Sequence, residues 1–307
     1  MSDTYTFAEV GAAQRQEFIL SWERSFQRQL PTPVYDWIFN GTNLLFAAFT
    51  GPDICAGYGL YPLEAVWQGT PSRILLCNNV FVDPAHQGKM LFSRLGRFAL
   101  RAAGERGFPL AYGIPNQNAV PGHRRVGWQL QPPVQFLARR RGGGSKSNVG
   151  WTQAAPSAQT LQAVEDCSRR SASDRTFSVV KTSEFFRWRY LTRPGIQYWY
   201  ASLGSGSRIG AYAVAKYYAD KRCLHIIDLD GDDTSAIDSL IASIDTISEP
   251  FEYVNLWSTT AHRSLFEQQG FASNDESNML IFIRPSDLKG VSVDAGVHLV
   301  LGDNDVY

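Results

Sequence analysis

The feature that most constrains this fold is that the chain is written twice. Residues 34–49, "VYDWIFNGTNLLFAAF" around Trp37, resemble residues 185–202, "FFRWRYLTRPGIQYWYAS" around Trp188, at an offset of 188 − 37 = 151. "DICAGYGL" around Gly57 resembles "SRIGAYAV" around Gly210, at 210 − 57 = 153, and "PNQNAVPGHRRVGW" with Gly127 resembles "STTAHRSLFEQQGF" with Gly270, at 270 − 127 = 143. A repeat this long is a whole domain with its own core, so two domains are expected, the second about ten residues shorter between its last two landmarks. Between them "ARRRGGGSKSNVG", residues 138–150, ends all apolar periodicity and reads as a solvated linker, with Arg139, Arg140 and Arg141 on a charged surface turn. The expected domains are therefore residues 1–137 and 151–307.

Within the first copy, "LLFAAFT" and "ICAGYGLYPL" read as hairpin strands and "RILLCNNVFVD" as a longer strand. A helix is expected over about residues 88–107, then a buried strand "PLAYGI" and a short helix ending at "VGW". The mixture is α+β around a central sheet. Lys+Arg 29 against Asp+Glu 29 leaves no net field to recruit nucleic acid or a membrane surface. No stretch reaches ~18 uninterrupted apolar residues and no leader pattern opens the chain, so a cytoplasmic protein is expected. Cys55, Cys77, Cys167 and Cys223 lie far apart, which fits reduced, buried thiols and neither a disulfide frame nor a metal site.

In "NNVFVDPAHQGKMLFSRLGRFAL", residues 78–100, a strand stops at Asp83-Pro84 and a helix follows a small polar loop. The first amides of a helix have no partner within it and sit at the positive end of its dipole, so this junction suits an anion. Gly88 lets backbone approach a ligand, and Gln87, Lys89 and Ser93 offer contacts to phosphate oxygens.

This stretch resembles the acyl-CoA motif, R/Q-x-x-G-x-G/A, of the GCN5-related N-acetyltransferases. Gln87 matches the first position, while Met90 replaces the usual glycine and Phe92 the small residue. A helical first turn does not require positive φ, so the Met90 amide is expected to donate all the same. The later landmark fits the same family: Asn116, Ala119 three residues on, His123 at the position commonly held by tyrosine, and Gly127-Trp128. The resemblance implies two tandem domains, each a mostly antiparallel sheet flanked by helices, and acetyl transfer from acetyl-CoA to a small amine, an amino sugar or sugar nucleotide among the candidates. It implies that Phe81 and Val82 present backbone to the pantetheine arm. Gln87, Gly88, Lys89, Met90, Leu91, Phe92 and Ser93 would hold the pyrophosphate, and His123 would protonate the departing thiolate beside Asn116. Glu64, His86 and Asn79 acting through water all stay open as the base. Tyr61 and Glu64 are candidates to face the acceptor.

In the second copy Asp228, Asp230, Asp232 and Asp233 stand where an anion would sit, Thr259 replaces the asparagine and Phe266 the acid, so no coenzyme is expected there. The aromatic segment with Trp188, Arg189, Tyr190, Tyr198 and Trp199 reads chiefly as packing. Two other classes compete: a tandem transferase taking its acyl group from an acyl-carrier protein or aminoacyl-tRNA, and a non-catalytic binding protein with decayed folds. No nucleic-acid partner, membrane or metal is expected, and a monomer fits.

Overall fold

The computed structural model describes residues 4–304 apart from 40, 42, 143–146, 148, 206, 207, 259–261 and 294. In chain order the elements are β1 (Thr6–Glu9), α1 (Arg15–Phe26), α2 (Thr32–Ile38), β2 (Leu44–Thr50), β3 (Asp53–Trp67), β4 (Thr70–Val82), α3 (Leu91–Glu105), β5 (Ala111–Gly113), α4 (Val120–Val126), β6 (Gln129–Leu130) and β7 (Val134–Arg140). Then follow α5 (Ala158–Ala172), β8 (Phe177–Val179), α6 (Ser183–Phe186), β9 (Trp199–Ser205), β10 (Arg208–Tyr218), β11 (Cys223–Gly231), α7 (Thr234–Ser243), β12 (Tyr253–Ser258), α8 (Arg263–Gln268), β13 (Ala272–Asn278), β14 (Ile281–Arg284), β15 (Lys289–Gly290) and β16 (Val297–His298).

Two compact units result, and neither is continuous in sequence. The first runs up to Leu63 and adds Arg73–Pro132 and Met279–Ser292; the second takes Glu64–Ser72, Pro133–Asn278 and the chain from Val293 on. These differ from the continuous halves 1–137 and 151–307 expected from the repeat, because strand partners are chosen by pairing and not by position along the chain.

In the first unit the sheet order is β1-β2-β3-β4-β5-β14, with β6 and β15 also on β14. Alternation along β3 puts Ala56, Tyr58 and Leu60 under Leu91, Leu95, Ala99 and Ala103 of α3. The other face is closed by Phe18, Ile19 and Trp22 of α1 with Tyr35 of α2, against Ala47, Ile54 and Phe81. Ile281, Phe282 and Ile283 of β14 pair antiparallel with Gly113, Tyr112 and Ala111 of β5.

In the second unit the order is β13-β7-β12-β11-β10-β9. Leu137 of β7 lies in this core with Leu224, Ile226, Ile237, Leu240 and Val254. The expected linker therefore begins inside a strand. Arg139 is 4% exposed and donates to Asp245 at 2.9 Å, the exposed Arg141 donates to the carbonyls of Asp245, Glu249 and Ile247, and the exposed Arg140 lies over Tyr253. Run together, three arginines look like a turn; alternation at the end of the strand buries the first, Arg139, and turns Arg140 outward.

β11 and β12 pair in parallel only from Cys223↔Tyr253 to His225↔Asn255. Beyond that point residues 298–301 lie against both strands: Leu299 and Leu301 are fully buried, and about 10 Å³ of free volume remains among Ile226, Leu229, Leu256, Trp257, His298 and Leu301. The segment is fastened by buried charge. Lys181 Nζ donates to Asp303 Oδ1 at 2.7 Å, and buried Arg189 donates to the carbonyls of Gly302 and Asn304. Removing one member of a buried pair strands the other, at a cost of about 3–5 kcal/mol. Lys181→Met is accordingly expected to destabilise the second unit by that amount in urea unfolding, with Lys181→Met/Asp303→Leu recovering most of it; a loss under ~1 kcal/mol for the single variant would show that the pair does not hold the segment.

Candidate active site

The site begins with a break in the regularity of β4. It pairs in parallel with β5 through Leu75↔Ala111, Leu76↔Tyr112 and Cys77↔Gly113, where β5 ends, yet β4 runs on to Val82. Leu75 and Cys77 face the α3 core, as strict alternation requires, but so do Val80 and Val82. The parity has slipped by one residue. Asn79 absorbs the slip at φ +47, and its side-chain Oδ1 accepts from Trp22 Nε1 at 3.0 Å. Residues 78–82 thus carry backbone hydrogen-bonding groups past the end of their β5 partner, a slot into which an extended ligand can pair.

At the end of that slot Asp83 caps a short 3-10 turn, Pro84–His86, by accepting from the Ala85 amide at 3.0 Å. Burial would raise its carboxyl, but the bond from Arg24 at 2.6 Å and the Ala85 amide hold it below the usual carboxylate range. Gln87, Gly88, Lys89 and Met90 follow, all exposed, with Gly88 at φ +78 and Met90 at φ +57. The helix starts at Leu91, later than expected, and Met90 is its N-cap in the left-handed region, not part of a helical turn. The methionine thus stands in the conformation that glycine favours, at the position where the resembled motif has glycine. No side chain caps α3, and its first turn holds no acid. Its leading amides face the loop with no side chain bonded to them, which suits a diphosphate.

Sequence reasoning missed the charge around this terminus, because a net charge of zero averages over the chain. Residues 84–132 contain Lys89, Arg94, Arg97, Arg101, Arg106, Arg124 and Arg125 against one acid, Glu105. Arg106 is paired with Glu9. Among the described residues none of Arg94, Arg97, Arg101, Arg124 and Arg125 has a carboxylate partner; Arg94 lies over Phe7 and Arg97 donates to the Arg125 carbonyl. A run of bases almost free of acids was the available signal.

The other expected site residues divide. Phe81 and Val82 lie on the slot strand, the Phe81 ring packed on Phe18 at 5.3 Å. Leu91 is buried in the core and the half-buried Phe92 ring rests edge-on against His123 at 4.9 Å. Ser93 is not free for phosphate: it is buried and its hydroxyl donates to the Met90 carbonyl at 3.2 Å. Lys89 sits over the Tyr5 ring at 5.7 Å, and the Tyr5 hydroxyl shares a 2.9 Å hydrogen bond with His86 Nδ1.

Three expectations need correction. His123 is 4% exposed among Phe92, Trp128 and Tyr58, and burial pushes its imidazole down to about 4, so at neutral pH it carries no acidic proton for a leaving group. Asn116 accepts the Ala119 amide at 3.0 Å and turns the chain into α4. Glu64 belongs to the second unit, where it is paired with Arg169 at 2.8 Å, and Arg169 is shared with Glu165.

Of the second unit's four acids Asp228 and Asp230 are buried, and Asp232 and Asp233 are exposed. Asp230 is buried; burial alone would raise its carboxyl, but His298 and Arg175, the latter bonded at 2.6 Å, hold it well below the usual range. Asp228 accepts from Tyr190 at 2.7 Å, and Asp232 is shared by Arg170 and Arg208. Asp233 caps α7, accepting from the Ser235 and Ala236 amides at 2.9 and 3.1 Å. The amides a phosphate would use are taken by the chain's own carboxylate. Phe266 is buried in the core, and Thr259 lies outside the described residues.

Two outcomes follow from this geometry. A left-handed non-glycine residue is strained by roughly 1 kcal/mol, so Met90→Gly is expected to raise stability by about that much in urea unfolding, and a clear loss would contradict the assigned conformation. His123 is neutral in the fold at pH values where the unfolded chain, near 6.5, binds a proton, so stability should fall as pH drops from about 6.5 towards 4; His123→Phe should flatten that slope between pH 7 and 5, and an unchanged slope would refute it.

Residues 7–131 match the family model described as an acetyltransferase (GNAT) domain. No curated protein matches the sequence. Among solved structures the chain is similar to a GCN5-related N-acetyltransferase from Anabaena variabilis, at 12% identity and a TM-score of 0.75 over 92% of this chain and 73% of that one. It is similar to a probable N-acyltransferase from Enterococcus faecalis at 11% and 0.75, over 92% and 73%, and to Eis1 from Mycobacterium abscessus at 15% and 0.69, over 92% and 74%. At such identities the structures speak for the fold, while the family model speaks for the domain that holds the slot and the uncapped helix. Over residues 7–131 the chain therefore carries an acetyltransferase (GNAT) domain.

Proposed function

We propose that the first unit is an acetyl-CoA-dependent N-acetyltransferase acting in the cytoplasm on a small amine, with amino sugars and sugar nucleotides the first acceptors to try. The observation that carries this reading is the uncapped start of α3 at the end of a strand slot, with unpaired arginines on the helices around it. The second unit is read as a degenerate copy of the fold. Its corresponding helix is capped by Asp233, and residues 298–301 lie against its β11 and β12.

When bound, acetyl-CoA supplies a thioester whose C–S bond breaks as the amine forms a C–N bond. Backbone groups of Phe81 and Val82 would pair with the pantetheine arm. The amides of Met90, Leu91 and Phe92 would hold the pyrophosphate, with Gln87 and Lys89 beside them, and Gly88 leaves the approach open, since nothing lies within 4 Å of where a Cβ would be. Arg94, Arg97, Arg124 and Arg125 add a long-range attraction for the remaining phosphate charge. With His123 neutral and buried and Glu64 held in an ion pair of the second unit, His86 and a water beside Asn79 are what is left of the expected set to exchange the protons with solvent.

A second reading draws on the same arginines. They extend along α3, a helix of about 22 Å, further than one phosphate reaches, which would suit a donor delivered on an acidic acyl-carrier protein. Competition between acetyl-CoA and an acetylated carrier protein separates the two.

Calorimetry with acetyl-CoA is the first test. Wild type is expected to bind and Gly88→Glu to lose binding by at least about a hundredfold, because the new carboxylate meets the helix terminus where the diphosphate must lie. His123→Phe is expected to retain most of its turnover on a panel of labelled amines between pH 6 and 8; a drop of ~100-fold would restore the histidine to the chemistry. Absence of acetyl-CoA binding by wild type would end the coenzyme reading.

A further inference from the structure

Asn78 is the first residue of β4 beyond the last β4–β5 pair, and its carboxamide is buried without a partner among the described residues. It is 6% exposed, and among the described residues neither its Oδ1 nor its Nδ2 has a hydrogen-bond partner. Buried carboxamides are nearly always bonded, since leaving them unmade forfeits the hydration they lost, so one open at both ends calls for an explanation. The residues around it give it no partner but do fix its place. Asn79, next in sequence, is locked at positive φ by the bond from Trp22, which sets the direction in which residue 78 leaves the strand.

Glycine on the neighbouring strand is the second device. A Cβ on Gly59 would fall 2.7 Å from Asn78 Oδ1 and 2.9 Å from the Asn78 carbonyl, so only glycine gives the carboxamide its room. Leu76 and Ile74, two and four residues earlier on the same strand, are plain apolar core residues. If packing alone mattered, an apolar side chain would serve at 78 as well.

We infer that the Asn78 carboxamide receives and orients the attacking amine, Oδ1 accepting one amine N–H while Nδ2 donates to the thioester carbonyl oxygen. The inference rests on the acyl-transfer reading for its ligand, but not for the open state of the carboxamide. A carboxamide offers one acceptor and two donors and gains or loses no proton in the working pH range. It therefore positions and does not act as base. The C–N bond forms as the C–S bond breaks, the nitrogen gives a proton to water, and the leaving sulfur takes one from water. The class of acceptor that fits is a primary amine presented unprotonated, with at least one N–H to spare for Oδ1.

Asn78→Leu, close in shape and without polar atoms, separates this from a structural role. Thermal unfolding should shift upward by ~2 °C or more, because an unsatisfied buried amide has been removed; a downward shift would show that the fold itself uses the carboxamide and would overturn the proposal. The acetyl-CoA dissociation constant from calorimetry should stay within about twofold, while kcat/KM for the best amine of the panel falls ~100-fold with a raised amine KM. Unchanged amine kinetics would also overturn it. Gly59→Ala keeps the carboxamide but displaces it, and should reproduce the amine defect with acetyl-CoA binding retained. If wild type fails to bind acetyl-CoA, the acyl-transfer reading falls by itself, and the unfolding shift still decides whether Asn78 is held open.

Discussion

Everything at this site depends on one slip of one residue in β4. A regular parallel strand would keep pairing with its neighbour, bury its backbone groups in the ladder and leave no line along which an extended ligand could lie. Because Asn79 takes a left-handed conformation and Trp22 fixes it there, β4 outruns β5 by five residues and ends beside a helix that nothing caps. Slot and uncapped helix terminus are thus produced together, and both are backbone features. Side chains then set charge and fit: arginines on α3 and α4, and the buried carboxamide of Asn78 where β4 and β5 part.

The second unit shows what happens when the same topology is closed. β11 and β12 also stop pairing after a few residues, but the chain's own residues 298–301 lie against both, fastened through Lys181, Asp303 and Arg189. Its helix α7 has a cap, Asp233, where α3 has a methionine. A carboxylate at that position uses the amides internally and stabilises the helix; leaving them uncapped in α3 forgoes about 1 kcal/mol, a sacrifice that makes sense where a ligand is to supply the cap.

Much of this was legible in the sequence, and the failures have physical causes. The repeated landmarks fall on matching features: Gly57 and Gly210 on β3 and β10, Gly127 and Gly270 after α4 and α8. The strand–loop–helix junction at 82–91 could be read because breakers and apolar spacing are local signals. The exchange of residues 64–72 and 279–292 between the two units could not, since pairing is long-range and leaves no mark at the strand itself. The same holds for charge. Asp228 and Asp230 look like exposed anions until the buried partners from distant parts of the chain, Tyr190 and Arg175, are seen beside them. The acid role expected of His123 does not fit its surroundings, because burial decides its proton affinity and burial is a tertiary property. Asn78 passed unnoticed in a strand where its neighbours are apolar.

The central claim, that α3 and the free end of β4 together hold the donor, is tested most directly by amide hydrogen exchange with and without acetyl-CoA. Protection should appear at residues 78–82 and 88–93 and be absent at 232–237, where Asp233 already occupies the helix start. Protection at 232–237 with none at 88–93 would place the donor in the other unit and contradict the account.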